Sequence, residues 1–142
     1  MMGTVAVESD DEKDIDIHTA CWYGKIDVVN RLLYEKETRA LFKDETEFGS
    51  GNTPLHYASY MGHLLICKKL LENGANINAL NTSGCTSLFF AAQQGHDKVV
   101  CHFLSIGADM RYREKQYGMN AIDVNTSDSV KKVFLQAGGS GE

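Results

Sequence analysis

The sequence repeats itself at an interval of 33 residues, and this period restricts the fold more than any other feature of the chain. Segments 52–78 and 85–111 align without a gap, and eight of the 27 aligned positions are identical. The identical pairs are Thr53/Thr86, Leu55/Leu88, Ala58/Ala91, Gly62/Gly95, His63/His96, Leu71/Leu104, Gly74/Gly107 and Ala75/Ala108. Such a period is typical of proteins that stack copies of one small structural unit.

Each shared position indicates a part of that unit. Thr53 is a favourable helix N-cap, and Gly62 permits the left-handed turn that ends a short first helix. Ile66 and Leu70, four residues apart, give a second helix an apolar face, and Gly74 ends it. The unit is therefore predicted to be helix, turn, helix and extended loop. Four leucines are expected in the core between units: Leu55, Leu70, Leu88 and Leu104.

The segments Thr-Pro-Leu-His at 53–56, Gly-His at 62–63 and Leu-Leu-Glu-Asn-Gly-Ala-Asn-Ile-Asn at 70–78 closely resemble the ankyrin repeat. The resemblance implies an all-α ankyrin-repeat solenoid of stacked helix-turn-helix units with β-hairpin-like loops. It also implies that His56 connects neighbouring repeats, a role that Phe89 replaces in the third repeat.

The resemblance extends over about four repeats, of which the first and last are atypical, as capping repeats are. The predicted domain covers residues 15–136, between an acidic flexible tail at 1–14 and a flexible tail at 137–142. The predicted repeats are 15–47, 48–80, 81–114 and 115–136.

The charge of the chain is concentrated at its start. The net charge is −5, and residues 1–16 contain six acidic residues and one basic residue, so the rest of the chain is balanced. A neutral body argues against nucleic-acid binding and against adhesion to anionic membranes. No apolar run is long enough to span a membrane. We expect a monomer in the cytoplasm, or in both cytoplasm and nucleus.

The search for catalytic or metal-binding patterns supports no enzyme, cofactor or metal. Four cysteines without a Cys-x-x-Cys pair are expected to be free thiols. His63 and Cys67 have a possible metal-ligand spacing, although a repeat histidine beside a buried thiol explains them better. Of the adjacent Cys101 and His102, the thiol is expected in the core and the histidine on the surface.

The resemblance implies that partners bind on the concave side of the stack. The two residues before each mid-repeat glycine vary in such proteins, and here they include large aromatic residues that neither capping nor turning requires. The alternative is that Trp22 and Tyr23 only shield the N-terminal cap, with Tyr60 packed on them. With a basic third loop, the predicted partner-binding residues are Trp22, Tyr23, Tyr60, Met61, Gln93, Gln94, Arg111, Arg113 and Tyr117.

The predicted function is a protein–protein interaction module, that is an adaptor, scaffold or inhibitor. The alternative is a regulatory or targeting ankyrin module of a larger enzyme, with the glycine-rich end of the chain as a linker. A thiol or metal sensor is a third possibility. Ser9, in an acidic context, is a candidate for phosphorylation, and Asn78 resembles loop asparagines that are hydroxylated in some ankyrin repeats.

Overall fold

A computed structural model describes residues 15–34, 46–47, 49–125 and 127–138. The predicted N-terminal tail, with Ser9, lies outside the described residues, as does the end of the chain from 139 to 142. Within these ranges the secondary structure is helical and contains no strand.

Eight helices are present in the described part of the chain, and they form pairs. Helices α1, α3, α5 and α7 pack side by side in one layer, and α2, α4, α6 and α8 pack in a second layer. The predicted all-α solenoid is thus confirmed. The helices are α1 Ile17–Tyr23, α2 Ile26–Tyr34, α3 Pro54–Met61, α4 Leu64–Glu72, α5 Ser87–Gln93, α6 Asp97–Ser105, α7 Ala121–Val124 and α8 Asp128–Gly138. The last helix ends two residues beyond the predicted domain boundary.

The first helix of every pair begins in the same way. A side-chain oxygen accepts a hydrogen bond from the backbone N–H three residues later, which satisfies one of the donors left open at a helix start. The residues that do this are Asp16, Thr53, Thr86 and Asn120. The prediction of Thr53 as an N-cap is therefore confirmed, and the same local signal marks all four pairs.

The core lies between the two layers and between successive pairs. Leu55, Leu70 and Leu88 are fully buried, as predicted. The prediction for Leu104 was wrong in degree, because its side chain is only partly buried and packs against the edge of the core. Phe103 is fully buried instead. It stands 33 residues after Leu70, so the repeat pattern itself assigns it this position.

A histidine at the start of the second helix joins each central pair to the pair before it. His63 Nε2 donates to the backbone oxygen of Trp22 at 3.1 Å, and His96 Nε2 donates to that of Tyr60 at 2.8 Å. The imidazole lies against the glycine that ends the preceding first helix. A Cβ atom on Gly62 would be 2.6 Å from His96 Nδ1, so only glycine leaves room for this ring.

His56 makes a second connection, from the second pair to the third. Its Nδ1 accepts the backbone N–H of Thr53 at 3.0 Å, and its Nε2 donates to the backbone oxygen of Cys85 at 2.9 Å. Phe89 occupies the equivalent position in the third pair, where it is buried. The role predicted for His56 therefore holds, and one repeat later a buried apolar ring stands in its place.

The loops between pairs also stack on one another. The N–H of Thr82 donates to the oxygen of Ser50, and the N–H of Lys115 donates to the oxygen of Ser83, both at 2.9 Å. Each loop tip therefore bonds to the tip before it. In the described ranges these loops are turns rather than strands.

Asn78 belongs to the loop after α4. It is half-buried, and its side-chain oxygen accepts the N–H of Asp109 at 2.9 Å. The side chain thus connects two successive loops. Its hydroxylation stays a prediction.

Candidate partner-binding surface

Trp22 and Tyr60 lie against each other on the layer formed by the first helices. Trp22 is near the end of α1 and Tyr60 near the end of the neighbouring α3. Their rings are nearly parallel, at 15°, with centroids 5.5 Å apart. This is closer than the 10 Å or so that separates packed helix axes, because the two side chains converge. Two predicted binding residues are thus brought together.

Two further rings extend this stack along the same layer. Tyr57 lies 5.7 Å from Trp22 at 83°, and Phe90 lies 5.7 Å from Tyr60 at 89°, both in the edge-to-face arrangement that aromatic rings favour. We call Trp22, Tyr57, Tyr60 and Phe90 the aromatic row. All four side chains are half-buried, so each keeps part of its surface open to solvent.

Sequence reasoning missed Tyr57 and Phe90. A signal for them is present, since they occupy the same position of the 33-residue period. Tyr57 also precedes Tyr60 by three residues, which places both on one face of α3. The periodicity of the helix, applied to the predicted pair, would have found the rest of the row.

The neighbours of Trp22 and Tyr60 are more exposed than the row itself. Tyr23 has 68% of its surface exposed, and Met61 has 37%. Half-burial of Trp22 against Tyr57 and Tyr60 is compatible with the alternative that it shields the cap. The exposure of Tyr23 does not favour that alternative for this residue, because only a small part of its surface is in contact with the protein.

The other predicted residues lie further along the chain and do not join the row. Gln93 and Gln94 are exposed at the end of α5. Arg111, Arg113 and Tyr117 are exposed in the loop between α6 and α7. The structure thus divides the predicted set between an aromatic surface and a polar one.

The two arginines of this loop are already paired with acidic residues. Arg111 contacts the carboxylate of Asp109 at 2.9 Å, and Arg113 contacts that of Asp123 at 3.0 Å. Both arginines are exposed, so the pairs contribute little to stability, but they offset the positive charge. The expected basic character of the third loop is correspondingly reduced.

Glu114 holds the same loop in shape. Its carboxylate accepts the backbone N–H groups of Met119 at 3.0 Å, Tyr117 at 2.8 Å and Gln116 at 2.7 Å. These bonds, led by the one from Met119, lower the pKa of Glu114 below its usual range. The carboxylate therefore acts as a charged cap for a tight turn.

A pocket of about 330 Å³ opens beside the aromatic row, at the start of α1. Aromatic rings and carboxylates line it together. Its lining residues are Asp16, His18, Thr19, Trp22, Tyr23, Glu47 and Tyr57. Sequence reasoning had assigned only Trp22 and Tyr23 to a site, because Asp16 and Glu47 are 31 residues apart and approach only through the fold.

The candidate metal and thiol groups have ordinary structural surroundings. Burial raises the pKa of the Cys67 thiol to about 12, which keeps it protonated, while the Nε2 atom of His63 bonds to Trp22. The expectation for the adjacent pair was wrong, because Cys101 is exposed and His102 half-buried. Among the described residues, no three histidine, cysteine or acidic side chains cluster as a metal site would require.

In the part of the chain that the structure describes, no helix combines the length and the apolar character needed to cross a membrane.

Comparisons with known proteins agree with this geometry. Residues 17–114 match the family described as "Ankyrin repeats (3 copies)". The chain is 40% identical over 75 residues to the probable E3 ubiquitin-protein ligase XBOS32 of Oryza sativa subsp. japonica, covering 53% of this chain and 15% of that protein. It is 32% identical over 108 residues to the human transient receptor potential cation channel subfamily A member 1, covering 73% and 9%. It is 42% identical over 57 residues to human ankyrin repeat domain-containing protein 49, covering 40% and 22%.

The chain thus spans less than a quarter of the length of each of these relatives. The family match, in contrast, covers more than half of this chain and includes the helix pairs that carry the aromatic row. From the stacked helix pairs, the joining histidines and the match over residues 17–114, it follows that this chain belongs to the ankyrin repeat family.

Proposed function

We propose that the chain is an adaptor, scaffold or inhibitor that holds a segment of a partner protein on its concave face. Ankyrin repeats generally serve as protein–protein interaction modules, and the chain belongs to that family. The observation that carries the proposal is the stacked pair of Trp22 and Tyr60, half-exposed on the first-helix layer.

The chemistry of the aromatic row suits an anchor for a partner side chain. Tryptophan and tyrosine are enriched at the energetic centres of protein interfaces because they bury a large area at small entropic cost. The contacts between the rings restrain their positions before any partner arrives, which reduces the cost of ordering them on binding. An apolar side chain packed on Trp22 and Tyr60 would use both advantages.

The test begins with a partner captured from cell extract and identified by mass spectrometry. Its affinity is then measured by titration calorimetry for the wild type, Trp22→Ala and Tyr23→Ala. Loss of a central aromatic anchor costs about 2 kcal/mol or more, roughly a thirtyfold rise in Kd. We expect this loss for Trp22→Ala and a smaller one for Tyr23→Ala.

Tyr34→Ala supplies a matched control, since Tyr34 also ends a helix of the first pair and is 86% exposed, but on the second-helix layer. Lys98→Glu, at an exposed position of α6, tests the same layer in the third pair. Circular dichroism must show every variant folded. Normal binding by the Trp22 and Tyr23 variants, with loss of binding in the Tyr34 or Lys98 variant, would contradict the proposal.

A second candidate is that the chain acts as a regulatory or targeting module of a larger enzyme. It is favoured by the relatives whose names include E3 ubiquitin-protein ligase, because the matched part is only a small share of each. Determining whether the native reading frame continues beyond residue 142 into an enzyme domain decides between the candidates. The aromatic row would serve recognition in either case.

We also propose a monomer in a reducing compartment, the cytoplasm or cytoplasm and nucleus. All four cysteines are free, and three of them are buried. Light scattering after size-exclusion chromatography tests the monomer, and fluorescence microscopy of the tagged protein tests the compartment.

A further inference from the structure

The pocket at the start of α1 has a composition that the proposed apolar anchor does not explain. Trp22 and Tyr57 stand at 83° to each other, and Tyr23 completes the aromatic part of the lining. Aromatic lining residues alone would be enough to bind a purely apolar side chain. The same pocket, however, is also lined by Asp16 and Glu47.

Negative charge predominates in this lining. Asp16 and Glu47 contribute carboxylates, and the described residues that line the pocket include no lysine or arginine, although His18 lies among them with its ring 5.8 Å from that of Tyr57. Burial alone would raise the pKa of Asp16, but the hydrogen bonds from Thr19, together with the neighbouring His18, outweigh it and lower this pKa, so the carboxylate is ionised at neutral pH. Glu47 is exposed, at the mouth of a tight loop.

Aromatic rings and carboxylates attract the same kind of ligand. The face of an aromatic ring carries partial negative charge and attracts ammonium and guanidinium groups, most strongly when the ring is tryptophan. A carboxylate adds direct attraction and accepts hydrogen bonds from the same group. An anion would be repelled here, and a neutral apolar group would gain nothing from the carboxylate of Glu47 or from that of Asp16, which also caps α1.

We propose that this pocket receives the cationic head of a basic side chain on the bound partner segment. This inference rests on the proposed function and names the partner chemistry for one end of that surface. The cation lies between Trp22, Tyr23 and Tyr57, while Asp16 and Glu47 balance its charge. The apolar anchor site on Trp22 and Tyr60 adjoins it, so the recognised segment carries a basic residue beside an apolar one.

The test needs no partner and uses the wild-type chain with two small probes of equal shape. Choline carries a quaternary ammonium, and 3,3-dimethylbutan-1-ol is its neutral isostere. Trp22 is the single tryptophan of the chain, so its indole N–H signal in ¹H–¹⁵N spectra reports on the pocket directly. We expect a saturable shift with choline, and a Kd for the alcohol at least about fivefold higher.

Two conservative variants separate charge from shape. Glu47→Gln removes one carboxylate, and Asp16→Asn removes the other while keeping a good helix N-cap. Each is expected to raise the choline Kd by about two- to fivefold, the range for exposed charge pairs, and to leave the alcohol unchanged. Glu72→Gln, an exposed change on α4, is the matched control and is expected to alter neither probe.

Equal affinity for the two probes would overturn the inference, since the pocket would then select shape rather than charge. A Trp22 signal that shifts with neither probe would overturn it as well, as would unchanged choline binding in both carboxylate variants. None of these results bears on the role of Trp22 as an apolar anchor, which the partner titration measures. The two proposals can therefore fail independently.

Discussion

The second and third repeats have almost the same backbone but very different surfaces. Their first helices, α3 and α5, begin with the same threonine cap, at Thr53 and Thr86, and their second helices follow at the same interval. The residues at the end of the first helix differ completely. Tyr60 belongs to the aromatic row, whereas Gln93 is an exposed polar side chain.

This difference separates the positions that folding requires from those it leaves open. Caps, core leucines and turn glycines recur because each meets a local or packing requirement that few residue types satisfy. The end of the first helix has no such requirement, so its residues are available for recognition. The large aromatic residues on the second repeat are therefore the ones that the proposed function assigns to an apolar anchor, whereas the glutamines of the third repeat offer only polar contacts.

The packing of each of these repeats against the next one differs as well. We call the contact at the glycine that ends the first helix the joint between two repeats. The third repeat places the ring of His96 against Gly62, so closely that a Cβ atom there would be 2.6 Å from it. Gly95 is the corresponding glycine in the third repeat. The atom nearest to a Cβ added there would be the Cβ of Ser127, at 3.6 Å. The fourth repeat therefore approaches the third less closely at this point.

The largest expected effect tests whether the two cores are equivalent. Leu88→Ala and Leu55→Ala each empty a fully buried position, at a cost of about 2–5 kcal/mol in the free energy of unfolding. Urea denaturation followed by circular dichroism measures both. Leu104→Ala, at a partly buried position, is expected to cost less. A melting temperature of Leu88→Ala unchanged within about a degree would contradict the alignment of the third repeat.

The next effect tests the joints. Alanine at Gly62 or Gly95 must adopt a positive φ, 78° or 76°, which costs about 1–2 kcal/mol in either place. Gly62→Ala also displaces the ring of His96 and its bond to Tyr60, for about 1 kcal/mol more. The melting temperature of Gly62→Ala, measured by thermal denaturation, should therefore be lower than that of Gly95→Ala. Equal losses would mean that the histidine contact adds nothing to the joint.

The pH dependence tests the one histidine that the third repeat lacks. Burial lowers the pKa of His56 below its ordinary value near 6.5, because the neutral ring is held inside the protein. As the pH falls, the unfolded chain therefore binds a proton at this histidine at a higher pH than the folded protein does. The stabilisation is complete above about pH 6.5 and is lost as the pH falls through the lowered pKa.

His56→Gln is the matched variant, since glutamine keeps the capping box with Thr53 but does not titrate. Stability measured by urea denaturation between about pH 7.5 and about pH 5.5, roughly one unit above and below the ordinary pKa, should fall less steeply in the variant than in the wild type. The other four histidines are common to both proteins. Parallel profiles would show that protonation of His56 does not oppose folding.

The smallest expected effect is a difference in thiol reactivity between Cys67 and Cys101. In the 33-residue period Cys67 corresponds to position 100, so Cys101 lies one helix position further along. Cys67 on α4 is buried, with its pKa raised by burial to about 12, while Cys101 on α6 is exposed. Because neighbouring helix positions point about 100° apart, one thiol faces the core and the other faces solvent. A maleimide reagent should label Cys101 alone in the native protein, and mass spectrometry of digests should find four labelled cysteines after unfolding. Rapid native labelling of Cys67 would contradict its burial.

Much of the fold could be predicted because its signals are local. The cap at Thr53, the turn at Gly62 and the apolar spacing of Ile66 and Leu70 each depend on residues within one turn of helix. Period counting placed Leu88 correctly. It failed at Leu104 only because the neighbouring Phe103 had not been aligned with Leu70.

The candidate site was predicted in part. Trp22, Tyr23, Tyr60 and Met61 were identified as positions that folding leaves open, which is a property of the repeat and needs no coordinates. The contacts between their rings were not predicted, because such contacts depend on how far each side chain extends into the space between two helices. The pairing of Arg113 with Asp123 was missed for a similar reason, since it joins a loop to the following helix.

The sequence by itself therefore determined the repeating unit, its caps and turns, and the family to which the chain belongs. The caps and turns follow from conformational preferences that act over three or four residues. The repeating unit and the family follow from the 33-residue period of the sequence. The tertiary structure alone decided that Trp22 stacks on Tyr60 and that Asp16 and Glu47 line the same pocket. Residues of different repeats meet only when the helices pack, so their contacts depend on packing distances and angles that no local pattern contains.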